Sequence, residues 1–272
     1  MGDKPELAYQ LDGNPQNPTI LYLHGFLGCK NDWNGITKPV DSEVDPGRTA
    51  HLLVDLPGHG SSLSLDDDSY RMEECARHIV KLLDSLHIDN CSVIGYSMGG
   101  RLALYLAVHH PEWFDRFVIE SGSPGLQTKS ERAERIASDE RLVDSLINDD
   151  FGSFLTDWYN QPLFASVDKS SDRFQRMMEH RGECDTRGLV RSLQRMGTGV
   201  QPSLWGDLKN VDSPILFVAG EQDAKFRLLA EEMADLCPNG QVAIIDGAGH
   251  NTHFDRPAEF AEQAAKFLTR RN

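Results

Sequence analysis

Short apolar runs alternate along this chain with stretches of helical period. Thr19 to Leu23, His51 to Val54, Cys91 to Ile94, Phe117 to Glu120, Ile215 to Ala219 and Val242 to Ile245 are mostly apolar and are bounded by Gly, Pro, Asp or Asn. Runs of this kind predict strands buried on both faces, as in a parallel sheet. Between them, Ser69 to Leu86 sets Met72, Ala76, Ile79, Val80, Leu83 and Leu86 near one face with charges opposite, which predicts an amphipathic helix. Met98 to His110 is apolar on most sides and predicts a deeply buried helix, ended by Pro111. Phe226 to Leu236 and Ala258 to Leu268 complete the set, with Pro257 suited to the first turn of the last helix. The alternation predicts an α/β fold, a mostly parallel sheet covered by helices on both faces.

Gly122 to Trp205 breaks the rhythm, since its sequence is amphipathic and charged with no convincing strand. We expect an inserted helical cap, with residues 1–121 as the first part of the core, 122–205 as the cap and 206–272 as the second part of the core. Thr37 to Gly47, with Lys38, Pro39, Asp41, Ser42 and Pro46, reads as a surface loop. No internal repeat or low-complexity segment interrupts the pattern.

Composition narrows the partners. At 272 residues, the chain suits one large sheet domain with an insertion. No run approaches the roughly 20 apolar residues of a membrane span. Met1 to Leu11 carries acids and a proline where a signal peptide needs a basic patch and an apolar core, so a cytoplasmic location is expected. The net charge of −15 argues against nucleic acid or an anionic membrane as partner. Cys29, Cys75, Cys91, Cys184 and Cys237 are odd in number and lack C-x-x-C spacing, so neither a disulfide framework nor a zinc site is indicated.

The chemistry begins at Gly95-Tyr96-Ser97-Met98-Gly99, a G-x-S-x-G between a predicted strand and a buried helix. In that context the glycines allow a turn so tight that the serine hydroxyl stands exposed. The partners of such a serine follow in the order acid, then histidine. Asp223 follows the strand ending near Gly220 and is the chosen acid, with Glu221 as its rival on position. His250 sits in the Gly247-Ala248-Gly249-His250 loop after the next strand and is the expected base. His24, His59 and His253 read as loop-shaping or surface histidines. Backbone amides of Phe26 and Met98 are expected to form an oxyanion hole.

These residues resemble the 2-succinyl-6-hydroxy-2,4-cyclohexadiene-1-carboxylate synthases of the menaquinone pathway, the MenH family of the α/β-hydrolase fold. The likeness spans nearly the whole chain. It rests on His24-Gly25-Phe26, Asp55-Leu56-Pro57-Gly58-His59-Gly60, Gly95 to Arg101, Pro124-Gly125-Leu126-Gln127 and Arg132-Ala133-Glu134-Arg135. Asp157-Trp158-Tyr159, Gln161 to Ser166 and Gly247 to Asn251 extend it. The resemblance implies a lyase that expels pyruvate from an enolpyruvyl cyclohexene carrying three carboxylates, without metal or organic cofactor. It also implies substrate contacts from Arg101, Tyr96, Gln127, Arg132, Trp158, Phe164, Arg181 and Lys225, with Arg176 or Arg173 as substitutes for Arg181. Bottom-up chemistry agrees on Arg101, because a guanidinium fork grips a carboxylate through two hydrogen bonds. The rival readings are a carboxylester or C–C bond hydrolase using the same triad, and a non-catalytic small-molecule receptor on this fold. The oligomeric expectation is a monomer or homodimer.

Overall fold

The computed structural model describes residues 6–45, 47–63 and 65–269. Its strands are β1 (Tyr9–Asp12), β2 (Thr19–Leu23), β3 (Ala50–Val54), β4 (Cys91–Tyr96), β5 (Phe114–Glu120), β6 (Ile215–Gly220) and β7 (Gly240–Ile245). They form one sheet in the order β1-β3-β2-β4-β5-β6-β7. All neighbours are parallel except β1, which runs antiparallel to β3. Every residue of β2, β3 and β6 is buried, which is why these strands are continuous apolar runs.

The helices are α1 (Thr37–Val44), α2 (Met72–Ser85), α3 (Met98–His109), α4 (Lys129–Asn148), α5 (Phe151–Tyr159), α6 (Asp172–Gly182), α7 (Thr186–Met196), α8 (Ala224–Leu236), α9 (Thr252–Asp255) and α10 (Pro257–Leu268). Side chains alternate across the sheet with the period of two that a strand imposes. Leu21 and Leu23 of β2 join a core with α2, α3 and α8, while Ile20 and Tyr22 join a second core with Val40 of α1 and Phe260 of α10.

Two expectations are corrected, and one strand is added. Thr37 to Val44 is a helix, not a loop: Val40 is fully buried, Val44 packs on the same core, and the element lies against α10. Two apolar residues one turn apart, among five polar ones and a proline, are too sparse a stripe to reveal it. Pro46 and residues 1–5 lie outside the described residues. The second helix starts at Met72, because Ser69 is held by Asp66 Oδ1 (2.9 Å from both Ser69 N and Oγ) in the turn before it. Strand β1 was not anticipated, since an edge strand of four half-exposed residues has no apolar run.

Between β5 and β6 the described residues contain helices but no strand. Each of α4, α5, α6 and α7 starts at a side-chain cap, respectively Thr128, Asp150, Ser171 and Asp185. Their apolar faces bring Val143, Phe154, Phe174 and Leu189 together with Phe164, from the turn between α5 and α6, into a separate small core. Leu27, from the loop after β2, is buried in that core and has φ +64°. The inserted helices are thus pinned to the loop that carries Phe26. Among the described residues, no helix is long and apolar enough to cross a membrane.

Candidate active site

Ser97 follows β4 and forms the N-cap of α3 with φ 51° and ψ −104°. A β-carbon on Gly99 would run into the carbonyl of Leu23, so only glycine lets α3 start this close to β2. The backbone N–H of Ser97 donates to Glu120 O at 2.8 Å, fixing the turn against the end of β5. Its side chain faces a cavity of about 680 Å³ between the strand ends and the inserted helices.

The structure brings Ser97, His250 and Asp223 into one chain of contacts. His250 Nδ1 lies 2.8 Å from Asp223 Oδ2, and His250 Nε2 lies 3.3 Å from Ser97 Oγ. In the tautomer that donates Nδ1–H to Asp223, Nε2 is free to accept the serine proton. Asp223 is buried and is held as the N-cap of α8, its Oδ1 accepting from Phe226 N at 3.2 Å. His250 is held from behind by Ser121 Oγ, which donates to its carbonyl at 2.7 Å. Glu221 does something else. Its Oε2 accepts from Gly247 N at 2.9 Å, which shapes the histidine loop from the solvent side.

The amides of Phe26 and Met98 have no hydrogen-bond acceptor among the described residues, and both residues line the cavity. Free N–H groups beside an exposed serine are what a developing oxyanion needs. Buried His24 holds that loop: its Nδ1 bonds Gly25 O at 2.7 Å, and its Nε2 accepts from Leu56 N at 3.0 Å. Burial lowers its pKa, so the ring stays neutral. Burial pushes His59 down to about 3, and its Nδ1 is spent on Pro57 O. His253 is buried against Glu120, with Nδ1 to Oε2 at 2.6 Å.

Of the expected substrate contacts, Tyr96, Arg101, Gln127, Trp158, Phe164 and Lys225 all line the cavity. Arg101 is held by neutral acceptors alone: its Nη1 donates to Met196 O (2.8 Å) and Gln201 Oε1 (2.7 Å). Among the described residues no carboxylate lies within 4.0 Å of it. Enclosure lowers the Arg101 pKa to about 10, and nearby Arg135 pushes the same way. It remains a cation at neutral pH.

Arg132 and Arg181 do not reach the cavity wall. Arg132 turns to backbone carbonyls, with Nε to Gly199 O at 3.3 Å and Nη2 to Gln201 O. The capping box of Thr128 and Glu131 starts α4, and Arg135 rather than Arg132 lines the cavity. Arg135 was missed because Arg132-Ala133-Glu134-Arg135 offers two arginines on one helix face, and the carbonyls that draw Arg132 aside lie 67 and 69 residues away. Arg181 is buried, with Nη2 2.6 Å from Asp32 Oδ2 and Nε 3.4 Å from Tyr159 OH. The carboxylate beside the Phe26 loop has captured it. Neither substitute replaces it: Arg173 bonds the carbonyls of Phe254 (2.7 Å) and His253 (3.3 Å), and Arg176 is exposed.

Arg181 is therefore a clamp between the inserted helices and the sheet domain. Removing one partner of a buried pair leaves the other uncompensated, which costs about 3 kcal/mol. Arg181→Ala is expected to lose that much in a urea titration, and Arg181→Met with Asp32→Asn is expected to recover part of it. Equal stability of Arg181→Ala and wild type would show the pair to be idle.

The alpha/beta hydrolase fold family matches residues 18–257. The 2-succinyl-6-hydroxy-2,4-cyclohexadiene-1-carboxylate synthase of Salmonella typhimurium (strain LT2) is 33% identical over 261 residues, covering 96% of this chain and 98% of the relative. The synthase of Escherichia coli O1:K1 is 34% identical over 256 residues, covering 94% and 96%. The solved structure of MenH from S. aureus superposes with a TM-score of 0.87 at 28% identity, covering 96% of this chain and 97% of that one. An esterase from Exiguobacterium antarcticum superposes with a TM-score of 0.78 at 18% identity, covering 97% and 96%, and shares the fold alone. With two such relatives matched end to end, the chain belongs to the α/β-hydrolase-fold family and, within it, to the 2-succinyl-6-hydroxy-2,4-cyclohexadiene-1-carboxylate synthases.

Proposed function

We propose that this enzyme is a carbon–oxygen lyase of menaquinone or phylloquinone biosynthesis. It eliminates pyruvate from 2-succinyl-5-enolpyruvyl-6-hydroxy-3-cyclohexene-1-carboxylate and leaves 2-succinyl-6-hydroxy-2,4-cyclohexadiene-1-carboxylate. The names of its near full-length relatives support this, as does one observation on the site itself. Arg101 faces the same cavity as Ser97 and carries a charge that no carboxylate within 4.0 Å among the described residues neutralises. A cation so placed recognises an anionic substrate. An acyl pocket for neutral esters has no use for it.

In this reading Asp223 orients His250, and His250 draws the proton of Ser97. The alkoxide-like Ser97 takes a proton from the ring carbon beside the succinyl ketone. Negative charge moves onto the ketone oxygen, where the Phe26 and Met98 amides receive it. The electrons then shift through the ring alkene and expel pyruvate as its enolate. No acyl-enzyme forms, and the apolar side chains of Trp158 and Phe164 keep water from the site. Arg101 with Arg135 and Lys225 would hold the carboxylates. Residues 122–205 act as the cap over a core of 1–121 and 206–272, and the enzyme works in the cytoplasm.

An assembled Ser–His pair with free amides also suits acyl transfer, so the test sets the two reactions against each other. The substrate is generated in place by its upstream synthase, and loss of its absorbance is followed beside a p-nitrophenyl ester control. Rapid pyruvate release with negligible ester cleavage is expected. Ester cleavage without faster pyruvate release would move the protein to the hydrolases.

A further inference from the structure

Arg101 shares a hydrogen bond with Gln201. Gln201 is 1% exposed, so its side-chain amide has no water to turn toward. Its Oε1 accepts from Arg101 Nη1 at 2.7 Å, and its Nε2 donates to Ser123 O at 3.3 Å. With both ends of the amide used, only one orientation satisfies it. The backbone at this position is fastened as well. Gln201 N donates to Gly197 O at 3.1 Å, and Gln201 O accepts from Arg132 Nη2. Arg132 Nε holds the neighbouring Gly199 carbonyl. Gly125, with φ +94°, permits the close packing: a β-carbon there would lie 2.8 Å from Pro202 O and 3.2 Å from Gln201 Nε2.

We propose that Gln201 is a positioning residue for anion recognition, aiming Arg101 at the cavity through a neutral acceptor that leaves the guanidinium charge unspent. Arg132 stands behind it and clamps the turn on which it sits. The inference rests on reading Arg101 as the site of a substrate carboxylate. A glutamate at 201 would orient Arg101 equally well, but as an ion pair, and the substrate would then compete with a built-in carboxylate. The nearby Asp139 attracts Arg101 from a distance, but its Oδ1 is 2.8 Å from Arg135 Nε, and it makes no hydrogen bond to Arg101.

The test compares wild type with Gln201→Glu, Gln201→Leu and Arg132→Gln in the pyruvate-release assay, with succinate binding measured by calorimetry as an anion probe. Gln201→Glu keeps the volume and adds a charge. It is expected to raise KM about 100-fold and to abolish succinate binding, with kcat changed less than about threefold. Its lost bond to Ser123 O is read separately, in the melting temperature. Gln201→Leu leaves Arg101 charged but unaimed, for about a tenfold rise in KM. Arg132→Gln loosens the turn and is expected to raise KM by about threefold or more without touching the cavity wall. A purely packing role reverses the order, with glutamate tolerated and leucine worse. That order, or a wild-type KM in Gln201→Glu, overturns the proposal. Should Gln201→Glu fail to fold, an unchanged KM in Arg132→Gln overturns it instead. A wild-type enzyme that neither releases pyruvate nor binds succinate would remove the reading of Arg101 and this inference together. Wild-type activity with unaffected variants would remove the inference alone.

Discussion

Ser97→Ala is expected to lower kcat for pyruvate release by about three to four orders of magnitude while KM stays within a few-fold of wild type. The oxygen that is lost is the one 3.3 Å from His250 Nε2. Nothing else in the cavity changes: Arg101 keeps its two acceptors, and the Phe26 and Met98 amides stay free. Substrate binding should therefore survive, and the loss should fall on the chemical step. The fold should survive as well. Alanine and serine suffer the same steric strain at φ 51°, and the turn is held by the backbone bond from residue 97 to Glu120 O. Melting temperature and circular dichroism check the fold, and steady-state kinetics with generated substrate check the rest. Near-normal turnover would mean that His250 or another group removes the ring proton directly, and Ser97 would lose its role.

The contacts from Ser97 through His250 to Asp223 were legible in the sequence because each residue rests on a local signal. The glycines around Ser97 are demanded by an approach of α3 to β2 that excludes any side chain at 99. Asp223 and His250 each follow an apolar strand, β6 and β7. The choice of Asp223 over Glu221 was made on position, and its geometry has a plain cause. Asp223 is the N-cap of α8 and points inward, while Glu221 lies two residues earlier and bonds Gly247 from outside. The arginines of the helices between β5 and β6 were not legible in the same way. Arg132 and Arg135 differ by three positions and share a helix face, and Arg132 is drawn aside by the carbonyls of Gly199 and Gln201, 67 and 69 residues away. Arg181 was captured by Asp32, a partner 149 residues away that no local pattern announces. The same holds for Gln201, whose meaning comes from Arg101 at a separation of 100. Strand β1 and helix α1 escaped for a simpler reason, since neither has an apolar run or stripe long enough to register.

Arg101→Ala is expected to lower kcat/KM for the tricarboxylate by about 100- to 1,000-fold. The charge sits on α3, four residues after Ser97, and lines the same cavity, so its removal is expected to weaken binding in the ground state and during elimination alike. Arg101→Lys should recover little. A single ammonium that satisfies Met196 O and Gln201 Oε1 has no second face with which to grip a carboxylate, whereas the guanidinium fork has donors to spare. The decisive comparison is with whatever slow cleavage of a neutral p-nitrophenyl ester the wild type supports. That reaction uses Ser97, His250 and the free amides but no cation, so Arg101→Ala should leave it within about twofold. Equal losses on both substrates would mean that the guanidinium holds α3 and the turn at Met196 in place. The anion site would then have to be sought at Arg135 or Lys225, the other cations on the cavity wall.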